Sequence, residues 1–336
     1  MSNQLDTLNR TRLPAQHGAK DLGLLGKISS DLGNSAKNAA KDIRSIAKDV
    51  DEILQNDLGI HSEDWKKAGE AFVHSAKRVR GLVNKGPLYI NDALGTLGDF
   101  VASKDNSWED KCKEIGSFST GLKKSISDSS NPSVEHEFVK SCEDIIALCK
   151  QYRKPPWSAN VQSKAKEIKD KCSNLISKTS LVDLAAVAAA DTCSSSILRA
   201  SIGLVSQSTR SEMITFIQEN TPRVASCSNP GSPKKKEFNA VNTLICARNM
   251  LYEDLNDIAT RFNSTENENE MYEHQLLFVL GLYDHFAKIL EKFAPECLIN
   301  VGPVRGRDHM VGSVPKEKKS SQGIFSFFKK FLPFKS

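Results

Sequence analysis

The sequence predicts an all-α protein: about eight to ten helices in a mostly antiparallel bundle, then a flexible C-terminal tether and a short amphipathic tail helix. Two observations predict this class. Apolar residues recur at steps of three and four along most of the chain, which is the period of helices packed on one face. Hydrophobic residues make up 39% and charged residues 26% of the 336 residues, as is typical of globular proteins rich in amphipathic helices.

Residues 1–20 are polar and predicted to be disordered, and residues 21–220 are predicted to form a helical bundle. The first helix carries a heptad seam three repeats long. A seam this short and small favours packing inside the bundle, and a coiled-coil homodimer remains an alternative. The seam consists of Leu32, Ala36, Ala39, Ile43, Ile46, Val50 and Ile53.

The second helix is predicted to begin after Ser62, an N-cap residue that is followed by acidic residues in the first turn. We expect Gly86 and Pro87 to end it, and a shorter helical segment to continue to about Ser103. Its apolar seam consists of Trp65, Ala68, Phe72, Ala76, Val79 and Val83.

Three further periodic stretches begin near Trp108, Ser133 and Val161, with no repeat of fixed length, so a bundle is favoured over a solenoid. Most of the eight cysteines lie on the apolar seams of predicted helices, and none forms a C-x-x-C pair. We therefore expect reduced core thiols in place of a disulfide framework or a metal site. The cysteines are Cys112, Cys142, Cys149, Cys172, Cys193, Cys227, Cys246 and Cys297.

Residues 181–205 are mostly small or aliphatic and are predicted to form a central buried helix. A membrane span is disfavoured because Asp183, Asp191 and Arg199 would each cost about 2.5–3.5 kcal/mol at the bilayer centre. The alternative is an α-helical pore-forming or membrane-remodelling protein in which this helix inserts.

Residues 221–236 contain three prolines and a run of three lysines, and are predicted to be a linker loop. Two further bundle helices are predicted within residues 237–294. The second of them is apolar on most faces, which predicts burial between layers. Residues 295–322 contain many Gly, Pro and Ser residues and are predicted to be a flexible tether.

The chain has no phosphate-binding glycine loop, no nucleophile elbow and no H-E-x-x-H motif. Two acid–histidine neighbours stand out on predicted helices, Glu270 with His274 and Asp284 with His285, and we interpret both as surface or rim contacts. We therefore expect no enzymatic activity, no cofactor and no metal. An enzyme with scattered catalytic residues is the remaining alternative.

The positive charge of the chain is concentrated at its C-terminal end. Residues 316–336 contain six lysines and one glutamate, a net charge of +5. The whole chain has 46 basic and 41 acidic residues, so the other 315 residues hold 40 of each and are neutral overall. A nucleic-acid-binding body would show a basic surface of its own, so we expect no nucleic-acid partner.

Residues 323–336 carry the strongest functional pattern. On a helix, six large apolar residues fall on one side, while Ser326, Lys329 and Lys330 fall on the other. Such a segment is typical of helices that lie in a membrane interface with anionic headgroups. The residues predicted to contact the membrane are Ile324, Phe325, Phe327, Phe328, Lys329, Lys330, Phe331, Leu332, Phe334 and Lys335.

Two other roles for this tail are open: docking on its own bundle, and binding a protein partner, in which case the body is a helical scaffold. The polar N-terminal stretch has no apolar signal-peptide region, so we expect a cytoplasmic protein, partly membrane-associated. The favoured function is therefore a non-enzymatic helical protein that is recruited peripherally to anionic membranes by its tail.

Overall fold

The computed structural model describes residues 15–54, 63–127, 132–153, 155–176, 196–220, 239–262 and 269–299. These residues form helices and short connections, without a strand among them. They belong to one compact unit, which spans Met1–Asn300. The predicted all-α class and the packing of the helices against one another as a bundle are confirmed.

The helices occupy most of the described chain. They are α1 (Ala15–Glu52), α2 (Glu63–Asp92), a π-helix (Ala93–Gly98), α3 (Asp99–Ala102), α4 (Trp108–Ser127), α5 (Pro132–Gln151), α6 (Ala159–Ile176), α7 (Ser196–Leu204), α8 (Gln207–Asn220), α9 (Ala240–Phe262) and α10 (Asn269–Glu296).

Polar side chains fix several helix starts. The Ser107 hydroxyl accepts a hydrogen bond from the Asp110 amide at 3.1 Å before α4. Asn239 Oδ1 accepts one from the Asn242 amide at 2.6 Å before α9. These caps satisfy amides that have no partner inside the helix, so the sequence itself specifies where these helices begin.

The predicted heptad seam is the buried face of α1, and all seven of its residues are buried. α1 packs against α10, α6 and α2 within the same chain. The helix is longer than predicted at its N-terminal end, because it begins at Ala15 and not at residue 21.

The prediction that Gly86 and Pro87 end the second helix is wrong. α2 continues through Pro87 to Asp92, and the π-helix and α3 follow it directly. Proline has no amide hydrogen to donate within the helix, which normally ends or kinks it. Here Gly86, Pro87 and Ile90 are buried, and a Cβ on Gly86 would lie 2.7 Å from Leu290 Cδ1 of α10. Burial against α10 therefore offsets the cost of the proline.

The helix α10 lies in the interior, as its apolar faces predict. It packs against α1, α2, α7 and α9. Large side chains on several of its sides are buried, including Leu276, Phe286 and Phe293. The helix ends at Glu296, and Cys297 after it is buried, so the first residues of the predicted tether belong to the bundle.

The predicted central helix at residues 181–205 is described only in part. Its first fifteen residues lie outside the described part of the chain. The rest forms α7, a nine-residue helix with Ile197, Leu198, Ala200 and Ile202 buried. The predicted linker at residues 221–236 also lies outside the described residues.

Candidate functional site

The ten residues predicted to contact a membrane all lie beyond residue 299. They are outside the described residues, so the structure gives no position for them. In the described part of the chain, the large hydrophobic side chains that are exposed are Leu88, at 61%, and Leu298, at 44%. No described helix combines the length and the apolar character that crossing a bilayer requires.

A buried acidic cluster is the most unusual polar feature of the described residues. Its centre is Asp254 of α9, whose relative exposure is 0%. One carboxylate oxygen, Oδ1, accepts a hydrogen bond from the Ser196 amide. The other, Oδ2, accepts from the Ile197 amide at 3.3 Å and from the Tyr283 hydroxyl at 2.6 Å. A single carboxylate therefore joins α7, α9 and α10.

The position of Asp254 follows from the chemistry of a helix start. The first amides of α7 point away from the helix body and have no partner inside it. The helix dipole also places partial positive charge at this end, which favours a nearby carboxylate. Asp254 thus caps α7 from a different helix, 58 residues further along the chain.

Two more charged groups lie beside this carboxylate. Ser196 Oγ donates a hydrogen bond to Glu253 Oε2 at 2.9 Å. Arg199 Nη2 donates to Ser196 Oγ at 3.2 Å. The start of α7 is therefore held by both side chains of the adjacent acidic pair on α9.

Burial is the largest influence on the pKa values of Asp254 and Tyr283. It raises the pKa of Asp254 from 3.8 to about 7, although hydrogen bonds from Tyr283, Ser196 and Ile197 and the charge of Arg199 act to lower it. Burial and the neighbouring Asp254 carboxylate also raise the pKa of the Tyr283 hydroxyl. Asp254 is therefore a carboxyl group that changes charge near neutral pH.

A second acid holds the junction after α7. Asp31 Oδ2 of α1 accepts a hydrogen bond from the Ser206 amide at 2.9 Å. Partial burial acts to raise the pKa of Asp31, but hydrogen bonds from the Ser206 amide and the Ser206 and Thr209 hydroxyls outweigh it and lower the pKa. Asp31 therefore stays ionised where Asp254 titrates.

The last carbonyls of α7 are also capped by other helices. Ser35 Oγ of α1 donates to the Leu204 carbonyl at 2.9 Å. Arg210 Nε of α8 donates to the Ile202 carbonyl at 3.0 Å. Side chains from α1, α8 and α9 thus hold the two ends of this short helix.

Asp254 and its partners were not among the residues predicted from the sequence. A signal was present: Asp254 lies three residues after Leu251 and four before Ile258, and so falls on the apolar face of its own helix. A lone acid on such a face indicates a buried polar contact. Its partners come from α7 and α10, and no pattern along the sequence identifies them.

Of the acid–histidine neighbours considered for catalysis, Asp284 and His285 lie in the described part of α10. Lys288 donates to Asp284 at 2.6 Å on the surface of α10, and burial lowers the pKa of the neighbouring His285. The side chains of Glu270 and His274 lie outside the described residues. In the described part of the chain, no group of three or more His, Cys, Asp or Glu residues is arranged to hold a metal ion.

Comparison of the chain with protein-family models, with curated proteins and with solved structures finds no match. The described helices and their packing define the class of this protein as an all-α helical bundle.

Proposed function

We propose that this protein is a non-enzymatic, cytoplasmic helical protein that binds anionic membrane surfaces peripherally through residues 323–336. The observation that carries the proposal is the pattern of that segment: aromatic and aliphatic residues on one side of a helix and lysines on the other. The bundle is the body that this segment brings to the membrane.

The distribution of charge supports this role. The C-terminal 21 residues carry a net charge of +5, and the rest of the chain is neutral overall. Lysines near an anionic leaflet contribute about 1 kcal/mol each. The attraction is therefore local to the tail, and it weakens as added salt screens it.

The apolar side of the segment supplies the larger contribution. Full burial of one large apolar side chain is worth about 1.5–3 kcal/mol. Ordering the short peptide opposes binding, because a helix of this length is marginal in water. The balance favours reversible binding of roughly micromolar affinity, without permanent insertion.

Variants of the tail in the full-length chain separate the apolar from the electrostatic contribution. Phe327→Ser/Phe328→Ser removes apolar area without changing charge, and we expect it to weaken binding to anionic vesicles by at least about tenfold. Lys329→Gln/Lys330→Gln keeps the aromatic side chains, and we expect it to weaken the same binding about tenfold or more. Sedimentation with vesicles over a range of lipid concentrations measures both effects.

Leu88→Ser is the matched control, because it removes an exposed large apolar side chain from the described body. We expect it to bind vesicles as the unchanged protein does. Equal binding by the phenylalanine variant and the unchanged protein would contradict the proposal. So would weakening by Leu88→Ser as large as that by the tail variants.

A further inference from the structure

The helix α7 depends on its neighbours. It has nine residues, and helices this short are marginal in water on their own. Its apolar side chains are buried in the bundle, and its first amides and last carbonyls are held by side chains of α1, α8 and α9. α7 is therefore a unit that can open locally while the larger helices remain packed.

We propose that Asp254 is a proton-controlled latch that sets how firmly α7 is docked in the bundle. The latch acts inside the body of the protein, and it does not rest on the proposed membrane binding of the tail.

Geometry makes the latch sensitive to opening. The Asp254 carboxylate is fully buried, and two of its hydrogen-bond donors are the first amides of α7. When α7 leaves, those donors leave with it and water reaches the carboxylate. The docked and open states therefore hold the Asp254 proton with different affinity, and a group with this property couples pH to conformation.

The groups that act on Asp254 come from each side of the cluster. Tyr283 contacts it from α10 and Arg199 approaches from α7. Glu253 lies beside it on α9 and accepts a hydrogen bond from Ser196. Tyr283 and Arg199 act to lower the pKa of Asp254, and burial overcomes them.

The sign of the coupling follows from this balance. The pKa of Asp254 is about 7 when α7 is docked, whereas an exposed aspartate has a value near 3.8. Between these values the docked state binds a proton that the open state lacks, so protonation favours docking. The docking of α7 in the bundle is therefore tighter at acidic pH than at neutral pH. We expect it to weaken about tenfold per pH unit up to pH 7 and to change little above it.

Hydrogen exchange of the full chain between pH 5 and pH 8 tests the latch. The exchange rates of the α7 amides, corrected for the intrinsic effect of pH on exchange, give the opening equilibrium of this helix. We expect that equilibrium to rise about 50-fold from pH 5 to pH 7 and to level off above pH 7 at about 100-fold. Amides of α5 and α6 are the internal reference, since the hydrogen bonds to Asp254 described above come from α7 and α10.

Three variants identify the titrating group. Asp254→Asn has no proton to gain, and we expect its α7 opening to be independent of pH. Tyr283→Phe removes a hydrogen bond that lowers the pKa of Asp254, so we expect the pH at which opening levels off to move upward. Asp31→Asn is the matched control at the other end of α7. We expect a larger α7 opening equilibrium at every pH, with the same dependence on pH as in the unchanged protein.

A flat or inverted profile for the α7 amides of the unchanged protein overturns the proposal. It is also overturned if α5 and α6 show the same opening equilibrium and the same pH dependence, because the effect would then belong to global unfolding. If Asp254→Asn does not fold, the pH dependence of α7 opening in Tyr283→Phe is the deciding measurement. An unchanged pH dependence in that variant overturns the proposal.

Discussion

At the scale of single residues, burial decides the chemistry of the cysteines. Cys142, Cys149, Cys172 and Cys297 are buried free thiols, while Cys112 and one further cysteine of the described residues are half-buried. Burial raises the pKa of Cys149 to about 12 and that of Cys297 to about 11. Only the thiolate is nucleophilic, so these buried side chains are doubly protected, by access and by ionisation.

We therefore expect alkylation of the native protein at pH 8 to separate the cysteines. Cys112 should react at least about a hundredfold faster than Cys149, because burial raises the pKa of Cys149 to about 12 and makes its thiol less accessible than the half-buried Cys112. Peptide mass spectrometry after timed labelling measures the rates, and labelling in denaturant serves as the control. Equal native rates at the two positions would show that the α5–α6 interface is open.

The placement of the buried thiols was predictable, whereas that of the buried acid was not. Cys142, Cys149 and Cys172 occupy seam positions whose period alone predicts burial, and they are buried. Asp254 is buried because α7 and α10 supply donors to it. That arrangement depends on long-range packing, which sequence periodicity does not encode.

At the scale of elements, α2 shows packing overriding local propensity. The periodic seam predicted its buried face, from Trp65 to Val83, and those residues are buried. The proline predicted an end that does not occur. The local sequence predicts the hydrogen bond lost at Pro87, but it gives no information about Leu290, which packs on Gly86 from a helix about 200 residues further along the chain.

Substitutions at two glycines of α2 test whether α10 packs closely on this part of the helix. Gly81→Ala places a methyl group where no atom lies within 4 Å, so we expect the gain in helix propensity to raise the free energy of unfolding by about 0.5–1 kcal/mol. Gly86→Ala adds a Cβ directly before Pro87, which disfavours the helical conformation, and that Cβ meets the buried Leu290 side chain, so we expect a net loss of about 1–3 kcal/mol.

Urea unfolding of both variants and the unchanged protein measures the difference. The two substitutions are identical in chemistry and lie on one helix, and they differ in what the added Cβ meets. Stabilisation by Gly86→Ala as large as that by Gly81→Ala would mean that α10 does not pack closely on this part of α2.

At the scale of the whole molecule, charge and apolar character are distributed unequally. The body has equal numbers of acidic and basic residues, and its described part exposes few large hydrophobic side chains. The last 21 residues hold the excess lysines together with a dense set of aromatic residues. The proposed role follows from this contrast: a neutral helical body and a basic, apolar segment for the membrane surface.

The most direct test compares the full-length chain with a chain that ends at Gln322, each sedimented with anionic and with neutral vesicles. We expect the full-length protein to sediment with anionic vesicles only, and the shortened chain to stay in solution with an unchanged unfolding curve, because the described bundle ends before the removed segment. Sedimentation of the shortened chain to the same extent, or of neither chain, would contradict membrane recruitment by residues 323–336.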